Sequence, residues 1–136
     1  MTSLQITRVL AAPPERVWAA FTDPATLTAW FWPPRLSPKV SAEVRVGGAY
    51  RIEGTGMAVS GVYLEVEWFR RLVFTWRWDG DETESVVTLE FEPSDGKTVL
   101  NLRHDRHATL EERDAHLQGW NDCLDRLPYP HTPWSS

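Results

Sequence analysis

The sequence predicts an α+β fold in which a curved antiparallel sheet of about six to seven strands wraps around a long C-terminal helix, with two short helices after the first strand. Two observations lead to this prediction. Apolar and polar residues alternate in one early segment and then almost continuously from residue 38 to residue 104, which is typical of β-strands. The segment 109–127 instead places its apolar residues at helical spacing, and the sheet is the largest apolar surface against which such a helix can pack.

The first strand and the two short helices follow one another near the N-terminus. Residues 4–11, LQITRVLA, alternate apolar and polar side chains and predict the strand. The first helix is predicted in APPERVWAAF, where Pro14 suits a helix start and Glu15 lies in the first turn, where the helix dipole favours an acid. The second is predicted in DPATLTAWF, with Asp23 as the N-cap and Pro24 at the first helical position; its apolar face comprises Leu27, Trp30 and Phe31.

The remaining strands form a run of adjacent antiparallel segments. They are KVSAEVRV, AYRIEG, VSGVYLEVEWF, RLVFTWRW, TESVVTLEFEP and TVLNLRHD. In the first of these, Val44 and Val46 are expected to continue one face of the strand. Gly47 and Gly48 then predict a tight turn, and Gly96 in the SDG triplet predicts a hairpin before the last segment.

The C-terminal helix is the longest predicted helix. Thr109 and Glu112 have the spacing of a capping box at its start. Gly119 lies in the middle of the helix at a cost of about 1 kcal/mol relative to alanine, so we expect a close approach of another element there. The apolar stripe comprises Leu110, Leu117, Trp120, Leu124 and Leu127. In this helix-grip arrangement the helix does not fill the concavity of the sheet, and we expect a cavity between them.

Composition restricts the class of protein. The 136 residues are expected to form one domain over 1–128, followed by a proline-broken tail over 129–136 that Trp134 could anchor. The net charge of -5 disfavours a nucleic-acid-binding surface. A single cysteine, Cys123, excludes an internal disulfide and fits a reducing compartment. No apolar run approaches the roughly 20 residues of a membrane span, so we expect a soluble cytoplasmic protein.

Five segments occur in the order that one known family shows. They are APPERVWAAFTDPATLTAWF, VGGAYRI, SGVYLEVEWFRRLVFTW, TVLNLRHD and HLQGWNDCLDRL. Over about residues 6–127 the chain resembles the SRPBCC (START-like, birch-allergen-like) superfamily, in the branch named after the activator of the heat-shock protein 90 ATPase. The resemblance implies the helix-grip fold. It leaves function open among lipid and hormone binding, cyclase or dehalogenase-like chemistry, and cochaperone activity.

The chain departs from this family in its first tryptophan-rich loop, AWFWPP, where Trp32 replaces the usual glycine before proline. We therefore expect Trp32 to be a lid at the mouth of the cavity, with Trp30 as a wall, and we expect Trp32→Gly to cost little stability. Strand alternation and the stripe of the last helix predict the rest of the lining. The predicted cavity residues are Trp30, Trp32, Tyr50, Phe74, Trp76, Trp78, Val87, Leu89, Leu102, His104, Trp120 and Leu124.

Candidate chemical groups are few. His104 lies on an otherwise apolar strand face, so it is the best candidate for a polar ligand contact or for acid–base chemistry, although a structural role also explains it. His104 and His107 would point to opposite faces of a regular strand, which disfavours a metal site. Cys123 follows Asp122 near a helix end and is predicted to be unreactive. We expect no cofactor and no catalytic residues.

Three functions remain open from the sequence. The first is binding of a small hydrophobic or aromatic molecule without chemistry, oriented by groups such as His104 and Tyr50. The second is a cyclase- or hydrolase-like enzyme that uses His104 as acid–base. The third is a cochaperone-type interaction module, which requires an exposed patch. Exposed strand edges and surplus aromatics also make a homodimer an expectation.

Overall fold

The computed structural model describes residues 2–127 and 131–133. Its strands form an antiparallel sheet with the order β2-β3-β4-β5-β6-β7-β1-β8. The strands are β1 (Thr2–Leu10), β2 (Lys39–Ala42), β3 (Ala49–Gly54), β4 (Met57–Glu67), β5 (Arg71–Trp78), β6 (Ser85–Ser94), β7 (Lys97–His107) and β8 (His131–Pro133). The predicted α+β helix-grip architecture is confirmed. The sheet has one more strand than the six to seven predicted, because three residues of the predicted tail pair with Arg8–Leu10 at the edge of β1.

Three helices begin where the sequence places start signals. They are α1 (Pro14–Thr22), α2 (Pro24–Trp30) and α3 (Leu110–Asp125), with a single 3-10 turn at Pro34–Leu36. Asp23 caps α2 by accepting a 3.1 Å hydrogen bond from the amide of Thr26. Thr109 caps α3 by accepting one of 3.1 Å from the amide of Glu112. No helix in the described part of the chain is long and apolar enough to cross a bilayer.

Two expectations about exposed and buried faces are wrong. β2 ends at Ala42, and Val46 is 64% exposed because the chain turns before β3. At this turn Gly47 has a φ of +83°, and a Cβ on Gly48 would lie 2.0 Å from the carbonyl oxygen of Glu43. Leu110 is 57% exposed, because at about 100° per residue it lies about 80° around α3 from the buried Trp120.

The core lies between the inner face of the sheet and the helices. In register across the sheet, Leu72 of β5 pairs with Leu89 of β6, and Leu89 pairs with Leu102 of β7. All three side chains are fully buried, together with Leu124 of α3. Burying each such side chain contributes about 1.5–3 kcal/mol, so this row fixes α3 against the centre of the sheet.

Polar contacts fix the C-terminal end of α3. The buried guanidinium of Arg8 on β1 donates to Asp125 at 2.7 Å and to Asn121 at 2.8 Å, both on α3. Arg126, at the end of α3, donates to the carbonyl oxygen of Phe31 at 2.7 Å. The last turn of α3 is thereby connected to β1 and to the residue that follows α2.

Candidate functional site

An aromatic cleft of about 670 Å³ opens between α3, the end of β5 and the segment that follows α2. Its aromatic lining residues are Phe31, Trp32, Trp76, Trp78 and Trp120. Charged side chains lie around this aromatic surface, namely Arg35, Asp81, Glu112, Asp122, Asp125 and Arg126. The cleft is therefore an apolar surface with a charged rim, as small-molecule sites commonly are.

Strand alternation explains how β5 contributes two tryptophans to this cleft. Trp76 and Trp78 lie two residues apart and point to the same side of the sheet. Their rings meet edge to face, with centroids 5.4 Å apart and planes at 85°. Trp120 of α3 packs against Trp76 with centroids 5.3 Å apart, so the helix and the strand share one continuous aromatic wall.

Trp32 completes this wall from the loop after α2. It is 6% exposed and stacks on Trp78, with ring centroids 6.1 Å apart and planes at 6°. Its other side is close to the backbone, because a Cβ on Gly54 would lie 3.0 Å from the indole ring. Trp32 is therefore held between β3 and β5 as part of the wall.

Trp30 is placed differently from its predicted role as wall. Its indole N–H donates a 2.8 Å hydrogen bond to the carbonyl oxygen of Ala20, and its ring packs edge to face on Phe21. The wall position belongs to Phe31, which helical spacing had assigned to ordinary core packing. Phe31 keeps helical dihedral angles as the C-cap of α2, so it lies about 100° around the helix from Trp30, and its ring meets Trp120 of α3 at 5.7 Å.

The other predicted cavity residues divide into two groups. Tyr50 and Phe74 line a much smaller inner void of about 30 Å³ that Trp76 and Trp120 separate from the cleft. The Tyr50 hydroxyl donates to the carbonyl oxygen of Thr75 at 2.5 Å. The second group is buried in the core, outside the lining of the cleft, and comprises Trp30, Val87, Leu89, Leu102, His104 and Leu124.

Sequence reasoning missed several lining residues on α3. His116, Gly119 and Cys123 line the cleft together with the predicted Trp120. Their spacing of three, four and seven residues is that of one helix face, and this signal was present in the sequence. The expected close approach at Gly119 is wrong, since an added Cβ would meet nothing within 4 Å. Gly119 instead leaves the cleft open at this point.

Cys123 is a buried thiol at the edge of this cleft. Its Sγ donates to the carbonyl oxygen of Phe31 at 3.0 Å. Burial raises the pKa of the Cys123 thiol to about 12, although the nearby guanidinium of Arg126 favours the thiolate. The thiol is therefore protonated at neutral pH, in agreement with its predicted lack of reactivity.

His104 is enclosed behind the cleft by two hydrogen bonds. The indole N–H of Trp120 donates to Nδ1 at 3.0 Å, and Nε2 lies 2.6 Å from the hydroxyl of Ser85. Because an indole only donates, Nδ1 is the acceptor and Nε2 carries the proton. Burial lowers the pKa of His104 to about 2, with smaller effects from His116 and His107, so the ring is neutral. The two hydrogen bonds of His104 therefore connect Trp120 of α3 to the sheet at Ser85.

The prediction that His104 and His107 point to opposite faces is wrong. Arg106 has a φ of +71°, and the pairing of β7 with β1 shifts register between His104 and His107. This irregularity adds a residue and reverses the alternation, as a β-bulge does. His107 is therefore 0% exposed beside His104, with ring centroids 4.3 Å apart. His116 joins them, and potential ligand atoms of the three rings lie within 4.8 Å of one another.

The comparisons with known proteins agree with this fold. The family described as "Activator of Hsp90 ATPase homolog 1-like protein" matches residues 11–129. No curated protein matches the chain. A solved structure from Rhodobacter sphaeroides is 31% identical, with a TM-score of 0.80 over 92% of this chain and 88% of that one.

Two further solved structures cover nearly all of both chains. A protein from Chromobacterium violaceum is 28% identical, with a TM-score of 0.77 over 91% of this chain and 92% of that one. An HSP90 activator from Plasmodium falciparum is 25% identical, with a TM-score of 0.78 over 97% of this chain and 100% of that one. The family match spans most of the sequence, and the solved relatives have the same architecture. The chain therefore belongs to the family of activator of Hsp90 ATPase homolog 1-like proteins.

Proposed function

We propose that this protein binds a small apolar or aromatic molecule in the cleft between α3 and the sheet. The observation that carries the proposal is the aromatic wall formed by Phe31, Trp32, Trp76, Trp78 and Trp120 around about 670 Å³. Ligand sites commonly have volumes of roughly 300–1,000 Å³ and apolar walls with a few polar groups. Flat indole rings offer a ligand large contact areas and stacking partners.

The charged rim supports binding of a molecule with a polar group at one end or at both ends. Glu112 and Arg126 both line the cleft, and they lie about 20 Å apart along α3 at about 1.5 Å per residue. Asp81 lies on the Glu112 side, because both carboxylates act on His116. Asp122 and Asp125 also line the cleft beside Arg126, so polar side chains at both ends would offer hydrogen bonds to such a ligand.

Gly119 provides the sharpest test, because it lines the cleft and an added Cβ would meet nothing within 4 Å. Gly119→Leu should fill the cleft without disturbing the core. Gln118→Leu places the same side chain on the neighbouring exposed position and serves as the matched control. Binding of the neutral fluorophore N-phenyl-1-naphthylamine should be saturable in the wild type and in Gln118→Leu, and at least tenfold weaker in Gly119→Leu.

Equal binding by Gly119→Leu and Gln118→Leu would show that the fluorophore binds elsewhere and would contradict the proposal. Native mass spectrometry of the untreated protein adds an independent measurement. A co-purified small molecule that is present in the wild type and lost in Gly119→Leu would identify the ligand class directly.

A second candidate function is contact with Hsp90, and an exposed aromatic pair favours it. Trp68 is 61% exposed at the turn between β4 and β5, and the adjacent Phe69 is partly exposed with a φ of +67°. Large exposed aromatics often mark protein interfaces. If this function applies, the wild type should stimulate the ATPase of its cognate Hsp90, Trp68→Ala should lose that stimulation, and Gly119→Leu should keep it.

A further inference from the structure

We propose that His107 and His116 form a binding site for a divalent transition-metal ion such as Zn²⁺ beside the cleft, with Glu112 supplying nearby negative charge. The proposal does not depend on the nature of the organic ligand. It rests on buried imidazole nitrogens without partners, on the negative charge around them, and on their position next to the cleft.

The unpartnered nitrogens are the first observation. His107 is fully buried, and neither of its ring nitrogens makes a hydrogen bond of good geometry among the described residues, although the backbone of Thr2 lies close to the ring. Nδ1 of His116 is likewise buried without a partner in the described part of the chain. The two rings lie together, with centroids 4.8 Å apart. Buried polar atoms are nearly always satisfied by protein, water or an ion, so three such atoms in two neighbouring rings indicate a missing partner.

The local charge favours a cation as that partner. Glu112 precedes His116 by one helical turn on α3, and its carboxylate accepts from the amide of Ala108, the residue after His107, at 3.2 Å. Its negative charge acts on both histidines, and that of Asp81 acts on His116. Nε2 of His116 accepts from the indole of Trp78, so this ring is neutral, and neutral imidazole is the form that binds a metal ion. Imidazole nitrogens beside negative charge suit Zn²⁺ and similar ions, and water can fill the remaining coordination positions.

His104 is the third ring of this cluster, and we assign it a supporting role. Both of its nitrogens already have partners, Ser85 and Trp120. Its ring packs against His107 at 4.3 Å and against His116 at 4.7 Å, and it thereby orients both. His116 and Glu112 line the cleft, so an ion and its water can reach the histidines from there.

Metal binding would change one hydrogen bond in a specific way. The indole N–H of Trp78 donates to Nε2 of His116 at 2.9 Å, so the proton of that neutral ring resides on Nδ1. Coordination through Nδ1 requires this proton to move to Nε2, which can then no longer accept from Trp78. The metal and the Trp78 hydrogen bond therefore compete, and the fluorescence of Trp78 reports the competition.

The test uses tag-free, chelator-treated full-length protein titrated with ZnCl₂ by calorimetry and with Co²⁺ by absorption. We expect one ion per chain and at least tenfold weaker binding in His116→Gln and His107→Gln. Binding should weaken in Glu112→Gln and stay unchanged in Asp114→Asn, which changes an exposed carboxylate on the same helix. Trp78→Phe should bind the ion at least as tightly as the wild type, because its competing hydrogen bond is gone.

The contrary results are equally specific. Wild-type binding no tighter than that of His116→Gln would overturn the proposal and leave a buried water as the partner of these nitrogens. Equal losses in Asp114→Asn and Glu112→Gln would indicate nonspecific surface binding and would also overturn it. If His107→Gln does not fold, His116→Gln decides the outcome, because its half-buried position accepts a glutamine that can still receive the Trp78 N–H.

Discussion

Trp32 and Trp78 stack with their rings nearly parallel, at 6° between planes and 6.1 Å between centroids. Trp32 lies in the loop after α2, and Trp78 is the last residue of β5. The contact closes one side of the aromatic cleft and holds the loop against the sheet. Trp32, which the sequence predicts as a lid at the mouth of the cavity, is therefore built into the packing of the site.

Replacing Trp32 should be costly. We expect Trp32→Ala to lower the free energy of unfolding by about 3–5 kcal/mol, because the indole is 6% exposed and packs between Gly54 and Trp78. Urea unfolding measures the change. Trp68→Ala, at a position 61% exposed, is the control and should cost less than about 1 kcal/mol. Similar losses in the two variants would contradict the assigned positions. A small loss of stability in Trp32→Gly, as the sequence predicts, would also contradict the buried position of Trp32.

Gly119→Ala should stabilise the protein by about 0.5–1 kcal/mol. Glycine in a helix interior is unfavourable relative to alanine, and the added Cβ at this position would meet nothing within 4 Å. Thermal and urea unfolding check the change. A destabilised variant would indicate that another element approaches α3 here, as the sequence had suggested.

The hydrogen bond from Trp120 to His104 should contribute measurably to stability. Trp120→Phe keeps an aromatic ring but leaves Nδ1 of His104 without its donor, so we expect a loss of about 1–3 kcal/mol. Ser85→Ala removes the partner on the other side of the ring and should have a similar effect. In a double-mutant cycle the two losses should not be additive, because both act through one imidazole. Strict additivity would argue against a shared network.

Arg8 should matter more than other arginines. Arg8→Met keeps much of the aliphatic stem but removes the buried hydrogen bonds to Asp125 and Asn121, and should cost about 1–3 kcal/mol. Arg113→Met breaks an ion pair with the adjacent, largely exposed Asp114 and should change stability by less than about 0.5 kcal/mol. Chemical unfolding of the two variants side by side distinguishes them. A loss of the same size in both would refute the special role of Arg8.

Alkaline pH should destabilise the fold through Cys123. Burial raises the pKa of its thiol from 9.0 to about 12, so unfolding releases a proton once the pH exceeds 9. The contribution of the buried, protonated thiol to the free energy of unfolding is complete below pH 9.0 and is lost as the pH rises toward about 12. Between pH 9 and about pH 11 the wild type should lose about 2 kcal/mol more than Cys123→Ala. Parallel pH profiles of the two proteins would show that the thiol titrates normally in the folded state.

Much of the fold could be predicted because its signals are local. The caps of α2 and α3 depend on Asp23 and Thr109, each of which accepts from an amide three residues further along the chain. Alternation in β5 placed Trp76 and Trp78 on one face without knowledge of the neighbouring strands. Such relationships extend over one turn or one strand, where the backbone geometry alone determines them.

The sequence by itself determined the order of the elements through α3, the shared face of Trp76 and Trp78 on β5, and the buried positions Trp120 and Leu124 of α3. Only the tertiary structure decided which buried aromatics face the cleft, because the packing of α2 places Trp30 on Phe21 and the adjacent Phe31 on Trp120. It also decided the position of His107, because the irregularity at Arg106 reverses the alternation of β7. Periodicity relates residues within an element, whereas a bulge changes that relation and packing against distant segments selects which face borders a site.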